Sequence, residues 1–208
     1  MKIFKTIVFA VLAIALIALV YIGVTVYRVS ASEQKDPKNL NVIYSRESAS
    51  SAIARAGVEV DDLSKLNLGS IFQSEGVVSV ASYFSDGEIS ALQNYANEKN
   101  GPFKNVQIHF IGDGQVEGSG FVSHPQVNAP VYARGTISQT GSKSFSVDVE
   151  KVEVSGVKIP SYITSIAESR FNAYVNDILS KIEGLDIKKV EIKDSSVFFE
   201  GDVPAHIK

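Results

Sequence analysis

Residues 106–122 read VQIHFIGDGQVEGSGFV, and the period of that stretch decides the fold. Val106, Ile108 and Phe110 alternate with Gln107 and His109, the repeat of two that a strand with one apolar face requires. Asp113-Gly114 supplies a hairpin turn, and Val116, Gly118, Gly120 and Val122 alternate along the return. Downstream the same period continues through Val131, Ala133, Gly135 and Ile137. A turn at Thr140-Gly141-Ser142 follows, and then Phe145, Val147 and Val149 on one face. At Lys151-Val152 the apolar phase slips, so that Val152 and Val154 resume it; one extra residue there predicts a β-bulge. The reading is a four-stranded antiparallel meander.

Helical signals flank the meander. Upstream, Val77, Val78, Val80, Tyr83 and Phe84 read as a strand, and Ser85-Asp86-Gly87-Glu88 as a capping box. In that box the Ser85 hydroxyl accepts from the Glu88 amide and the Glu88 carboxylate reaches back. Ile89, Leu92 and Ala96 then keep helical spacing, and Asn100-Gly101-Pro102 closes the helix. Downstream, Pro160 opens a longer helix where its missing N–H costs little. The stripe of that helix is Ile163, Ile166, Ala167, Phe171, Tyr174, Val175, Ile178, Leu179 and Ile182, and Gly184 ends it. Two short strands, 189–193 and 197–203, finish the chain around Asp194-Ser195-Ser196. The order predicts an α+β domain over 68–208. Its curved antiparallel sheet, of five to seven strands, wraps a long amphipathic helix and a shorter one.

The chain ahead of that domain divides in two. Residues 7–27 (IVFAVLAIALIALVYIGVTVY) carry no charge, and 21 residues at about 1.5 Å each span roughly the 30 Å of bilayer hydrocarbon. A secretory signal core is shorter, although Ser30-Ala31-Ser32 offers small residues for cleavage. Lys2 and Lys5 precede the segment, and Arg28 is followed by the mixed charges of Glu33, Lys35 and Asp36. Residues 1–28 are therefore expected to be a single-pass membrane anchor with a short cytoplasmic N-terminus and the rest extracytoplasmic. Residues 29–67 are expected to be a stalk, polar at 32–41, with a short helix at 45–56; Leu63, Leu66 and Leu68 first touch the core.

Composition removes several functions. Beyond Arg28 lie all 23 acidic residues and 17 of the 20 basic ones, an acidic excess that argues against a nucleic-acid partner. With no cysteine there is no disulfide, thiolate metal site, cysteine nucleophile or lipidation site. His109, His124 and His206 have no acidic or histidine neighbour at metal-ligand spacing, and alternation puts His109 on a wet strand face. Gly112-Asp113-Gly114 and Gly118-Ser119-Gly120 lie between or within strands, whereas a phosphate loop must lead from strand to helix. Nothing nominates a base for Ser119, and Asp61-Asp62 and Asp148/Glu150 show no paired burial. No catalytic residue, metal site or cofactor is expected.

The element order also resembles a known group. The helix start Phe84-Ser85-Asp86-Gly87-Glu88-Ile89-Ser90-Ala91-Leu92, the hairpin 106–121 with its alternate glycines, the junction Val157-Lys158-Ile159-Pro160 and the closing strand 197–207 are similar to bacterial envelope domains. These are the membrane-anchored or lipoprotein domains related to the tubular lipid-binding (TULIP-like) superfamily, including the YpmS-like and YceB-like families. The YceB-like proteins are tethered through a lipidated cysteine, which this chain lacks. The resemblance implies a curved sheet around a long helix, with an apolar groove for a lipid chain. Leu92, Phe110, Phe145, Val147, Ile166, Phe171, Tyr174 and Ile178 are the candidate lining. Alternate glycines at Gly118, Gly120 and Gly135 suit curvature and unfilled volume. Periodicity alone is equally met by a packed core helix. Two functions are carried: a module binding lipid or another apolar ligand, and a ligand-free envelope domain that presents its surface to a protein partner. An unfilled apolar cavity marks the first, an exposed patch the second.

Overall fold

The computed structural model describes residues 36–57, 74–98, 102–124 and 127–207. The expected membrane span and the leucines at 63, 66 and 68 lie outside these residues. Among the described residues, no helix is long and apolar enough to cross a membrane.

The chain runs α1 (Arg46–Arg55), β1 (Ser74–Ser85), α2 (Asp86–Asn97), β2 (Phe103–Gly112), β3 (Gln115–His124), β4 (Val127–Gly141), β5 (Ser144–Val154), β6 (Val157–Lys158), α3 (Ser161–Lys181), β7 (Asp186–Lys193) and β8 (Ser196–Ile207). It is α+β and its strands are antiparallel throughout. Where one sheet of five to seven strands was expected, the eight strands among the described residues form two sheets, β2-β3-β4-β5-β6 and β1-β8-β7. The reason is α2, which follows β1 directly and occupies the edge of β2, so β1 must find its partner elsewhere. It pairs with β8 from Ser74↔Ile207 to Ser85↔Ser196. The inner faces of both sheets share one core cluster; Phe84, Val197 and Phe199 of the small sheet are buried with Phe110, Phe145 and Val154 of the large one.

Local chemistry explains the turns. At Asp113-Gly114 both residues have positive φ (51° and 81°), the backbone that a two-residue hairpin needs. The capping box at Ser85 is complete: the Glu88 amide donates to Ser85 Oγ at 3.3 Å and the Ser85 amide donates to Glu88 Oε2 at 2.9 Å. The bulge falls one residue before the expected place. Lys151 pairs with Arg134 and Val149 with Gly135, leaving Glu150 as the extra residue.

Both outer edges of the large sheet are closed by helix side chains. Along α2, Asp86, Ser90 and Asn94 accept from the amides of Phe110, Ile108 and Val106, each at 2.9 Å. Asn94 Nδ2 also donates to the Val106 carbonyl at 2.7 Å. Along α3, Glu168, Asn172 and Asn176 accept from Val149, Val147 and Phe145 at 3.0, 2.9 and 2.9 Å. Asn172 and Asn176 return a donor to the Val147 and Phe145 carbonyls at 3.1 and 2.9 Å. Four residues of helix advance about 6.0 Å and two residues of strand about 6.8 Å, so side chains at i, i+4 and i+8 can follow alternate strand residues. Each asparagine amide stands in for the peptide group of a missing neighbour strand, which closes an edge open to aggregation. The small sheet is tied in through Gln139, which donates to the Ile187 carbonyl at 2.7 Å and accepts from the Val190 amide at 3.0 Å.

Candidate functional site

The α3 ladder fixes the rotation of that helix and so decides which side chains face inward. With Glu168, Asn172 and Asn176 held against the β5 edge, the sector around Phe171, Val175, Ile178, Leu179 and Ile182 is buried in the core. Of the eight candidate groove residues, the structure brings six together: Leu92, Phe110, Phe145, Val147, Phe171 and Ile178 have relative exposures of 0–6%. Ile166 and Tyr174 are placed elsewhere, at 53% and 49% exposed. Ile166 precedes Phe171 by five residues, about 140° around the helix, and belongs to the opposite face. Tyr174 is about 60° from Phe171, on the side away from the ladder. Hydrophobicity at near-helical spacing marked both as stripe residues; the polar residues that set the rotation carried the deciding signal.

The six inward residues are close-packed. A cavity wide enough for an acyl chain would leave accessible surface on the side chains lining it, and these have almost none. Gly120 and Gly135 are closely surrounded as well. A Cβ on Gly120 would meet Val106 Cγ2 at 3.3 Å, and one on Gly135 would sit 2.4 Å from the Asp148 carbonyl oxygen. Gly135 is glycine because β5 approaches closely at the bulge, and no volume is left open there.

Residues 36–45, expected to be stalk, lie as a strap across the outer face of the large sheet. Lys38 Nζ stands 3.9 Å from the centre of the Tyr132 ring on β4 and 4.0 Å from Glu117 Oε2 on β3. The Leu40 amide donates to Gln107 Oε1 on β2 at 2.7 Å, and the Ile43 carbonyl closes on Gly87 of α2. The polar composition that suggested a free linker is what matches the polar strand face. α1 also belongs to the packed unit, with Ala49, Ala52 and Ala56 in the core. The domain thus takes in residues that the division at 68 had left in the stalk. Under the strap, Tyr132 donates to Glu117 Oε1 at 2.8 Å; burial, then this bond to a carboxylate, pushes its pKa well above the ordinary value. Ser119 is buried there, among strands and with no base attached to it.

His109 is not simply solvated. Its Nδ1 lies 2.7 Å from Asp86 Oδ2, while Asp86 Oδ1 receives the Phe110 amide, so the histidine is fastened to the end of the α2 ladder. An open cleft of about 500 Å³ lies between α1, the end of β1 and α2, walled by Ser48, Ser51, Arg55, Tyr83 and Glu88. Its one cation among the described residues is already spent: Arg55 makes two 2.8 Å contacts to the Glu88 carboxylate and donates to the Tyr83 carbonyl at 2.8 Å. Among the described residues, no group of three or more histidines and carboxylates is placed to hold a metal.

Among the described residues, three of the exposed large apolar side chains share one ridge of α3; Ile43 on the strap and Val77 and Tyr83 on β1 are exposed elsewhere. Tyr162, Ile166, Arg170 and Tyr174 follow one another at four-residue spacing, and the three apolar members are 68%, 53% and 49% exposed. Neighbours at i+4 on a helix touch, so the four side chains make one ridge about 18 Å long. No protein-family model, curated protein or solved structure is similar to the chain.

Proposed function

We propose that this chain is a membrane-anchored, extracytoplasmic, non-catalytic module that works through its surface rather than by carrying an apolar ligand inside. The observation that carries this reading is the split of the candidate lining. Six members are sealed in the core, and the α3 ridge stands outside. Surface recognition needs an exposed apolar patch with polar tips, which Tyr162, Ile166 and Tyr174 supply around Arg170. The anchor is proposed from the uncharged 7–27 segment and the lysines before it. The curved, lipid-holding sheet implied by the resemblance to tubular lipid-binding domains is the competing reading, with membrane lipid or another apolar molecule as its ligand.

The two separate in one experiment. Residues 33–208 are purified gently, and a native mass spectrum is recorded together with an organic extract. The surface reading expects one apo mass and no uptake of added phospholipid. Co-purifying lipid, reduced by Ile178→Asp in protein that keeps its fold, would overturn it. Twelve buried methylenes are worth about 10 kcal/mol before ordering costs, enough for such a lipid to survive purification.

A further inference from the structure

The strap and the ridge are related by the topology. The strap crosses the large sheet at right angles to the strands, from Tyr132 on β4 through Gln107 on β2 to Gly87 on α2. Tyr132 stands opposite Glu153, and Glu153 opposite Lys158 on β6. Upstream of Lys38 the described strap ends two residues on, in the direction of β5 and β6, and the chain after β6 reaches Ser161 in three residues and Tyr162 in four. Residue 36 thus lies toward the β4–β6 half of the large sheet, the half that α3 borders. From there back to Tyr27 the chain has nine residues, a reach of about 30 Å at most. A domain of this size has a radius of gyration of about 15 Å and a width near 40 Å. So short a tether cannot pass round the domain, and the side at which it leaves must face the bilayer.

We infer that the Tyr162-Ile166-Arg170-Tyr174 ridge of α3 docks on the membrane surface, resting on phospholipid headgroups with Ile166 dipping between them. This rests on the anchor proposed above and adds the surface and the partner. The chemistry of the ridge fits the interface. Tyrosine places an apolar ring at headgroup depth with its hydroxyl in water, and Arg170 pairs with lipid phosphate. The ladder makes the pose rigid, because the side chains that turn the ridge outward are those bonded to β5. The domain then lies on its α3 side, and α1, at the opposite edge of the large sheet, is held away from the bilayer.

The chain has no cysteine, so single-site labelling needs no background removal. Full-length protein carrying Tyr162→Cys, Ile166→Cys or Ser50→Cys is labelled with an environment-sensitive fluorophore. It is reconstituted in phosphatidylcholine vesicles containing phosphatidylglycerol, with and without lipids bearing a nitroxide near the headgroup. Labels at 162 and 166 are expected to shift to the blue and to be quenched about threefold, as for a group 5–10 Å into the interface, while the label at 50 on α1 is not. Adding Tyr174→Ser should weaken the quenching at 166. Flotation of the protein with the vesicles but equal quenching at 166 and 50 would overturn the docked ridge and leave the anchor standing. Failure to float would overturn both.

Discussion

Replacing Asn172 by alanine tests the helix ladder, the device that turns α3. The asparagine satisfies two backbone groups of β5, accepting from the Val147 amide at 2.9 Å and donating to its carbonyl at 3.1 Å. With the side chain gone, the buried Val147 keeps an unpaired N–H and an unpaired C=O. Each such orphan costs about 1–3 kcal/mol, and some water reaches the strand edge, so the loss should be about 2–4 kcal/mol. Asn172→Leu restores bulk without polarity and should lose nearly as much. Asn172→Asp is the sharper probe, because it keeps the acceptor for the amide but sets an oxygen against the Val147 carbonyl. Protonation converts that oxygen into a donor, so the folded-state pKa of the new carboxyl is raised. The stabilisation is then fully present below the unfolded value near 4 and is lost as pH rises through the folded value. Urea unfolding of residues 33–208 should thus show the aspartate variant recovering part of its deficit between pH 7 and pH 4, while the alanine and leucine variants do not. Asn94→Ala acts on β2, three strand spacings or about 14 Å from β5, and its cost should add to that of Asn172→Ala within about 0.5 kcal/mol. Deficits below about 0.5 kcal/mol in both the alanine and leucine variants would refute the ladder as a source of stability.

Phe171→Ala should cost about 3–5 kcal/mol by urea titration, because the ring is wholly buried, whereas Ile166→Ala should stay within about 0.5 kcal/mol. Equal effects would show that α3 is rotated away from the position described. Gly135→Ala should cost more than about 2 kcal/mol in the same titration, since its methyl would lie 2.4 Å from the Asp148 carbonyl oxygen. The raised Tyr132 pKa gives stability that is complete below pH 10 and falls as pH rises towards the folded value. Tyr132→Phe should remove the part of the alkaline loss between pH 10 and 11.5 that this phenol contributes, as read by unfolding at stepped pH.

The meander, both flanking helices and the capping box were legible because each rests on local chemistry: a period of two, a period of 3.6, a Ser-x-x-Glu. The split into two sheets was not, because β1 and β8 meet across more than a hundred residues and nothing within either strand names its partner. The bulge lies one residue before the apolar phase shift, which shows where the new register is established rather than which residue is extra. The outward placing of Ile166 and Tyr174 was hidden for a different reason. Counting apolar residues gives a stripe broad enough to leave the rotation open, and the row Glu168, Asn172, Asn176 that fixes it reads in sequence as ordinary surface. The same holds for Asp86, Ser90 and Asn94. Polar residues at i, i+4 and i+8, beside a strand rather than facing water, are the signal that was available.

The pairing of β1 with β8 has a consequence for how the chain comes into being. Synthesis delivers β1 more than a hundred residues before β8. Until β8 is available, β1 has no partner in the small sheet, and the inner side of Phe84 and Val80 has no Val197, Phe199 or Val203 to pack against. The meander and its two helices can form from nearby contacts in the meantime, but loop closure over more than a hundred residues makes the last step slow. A truncation before residue 196 would stall the chain with an apolar strand exposed, an aggregation-prone state that a surveillance protease would meet first.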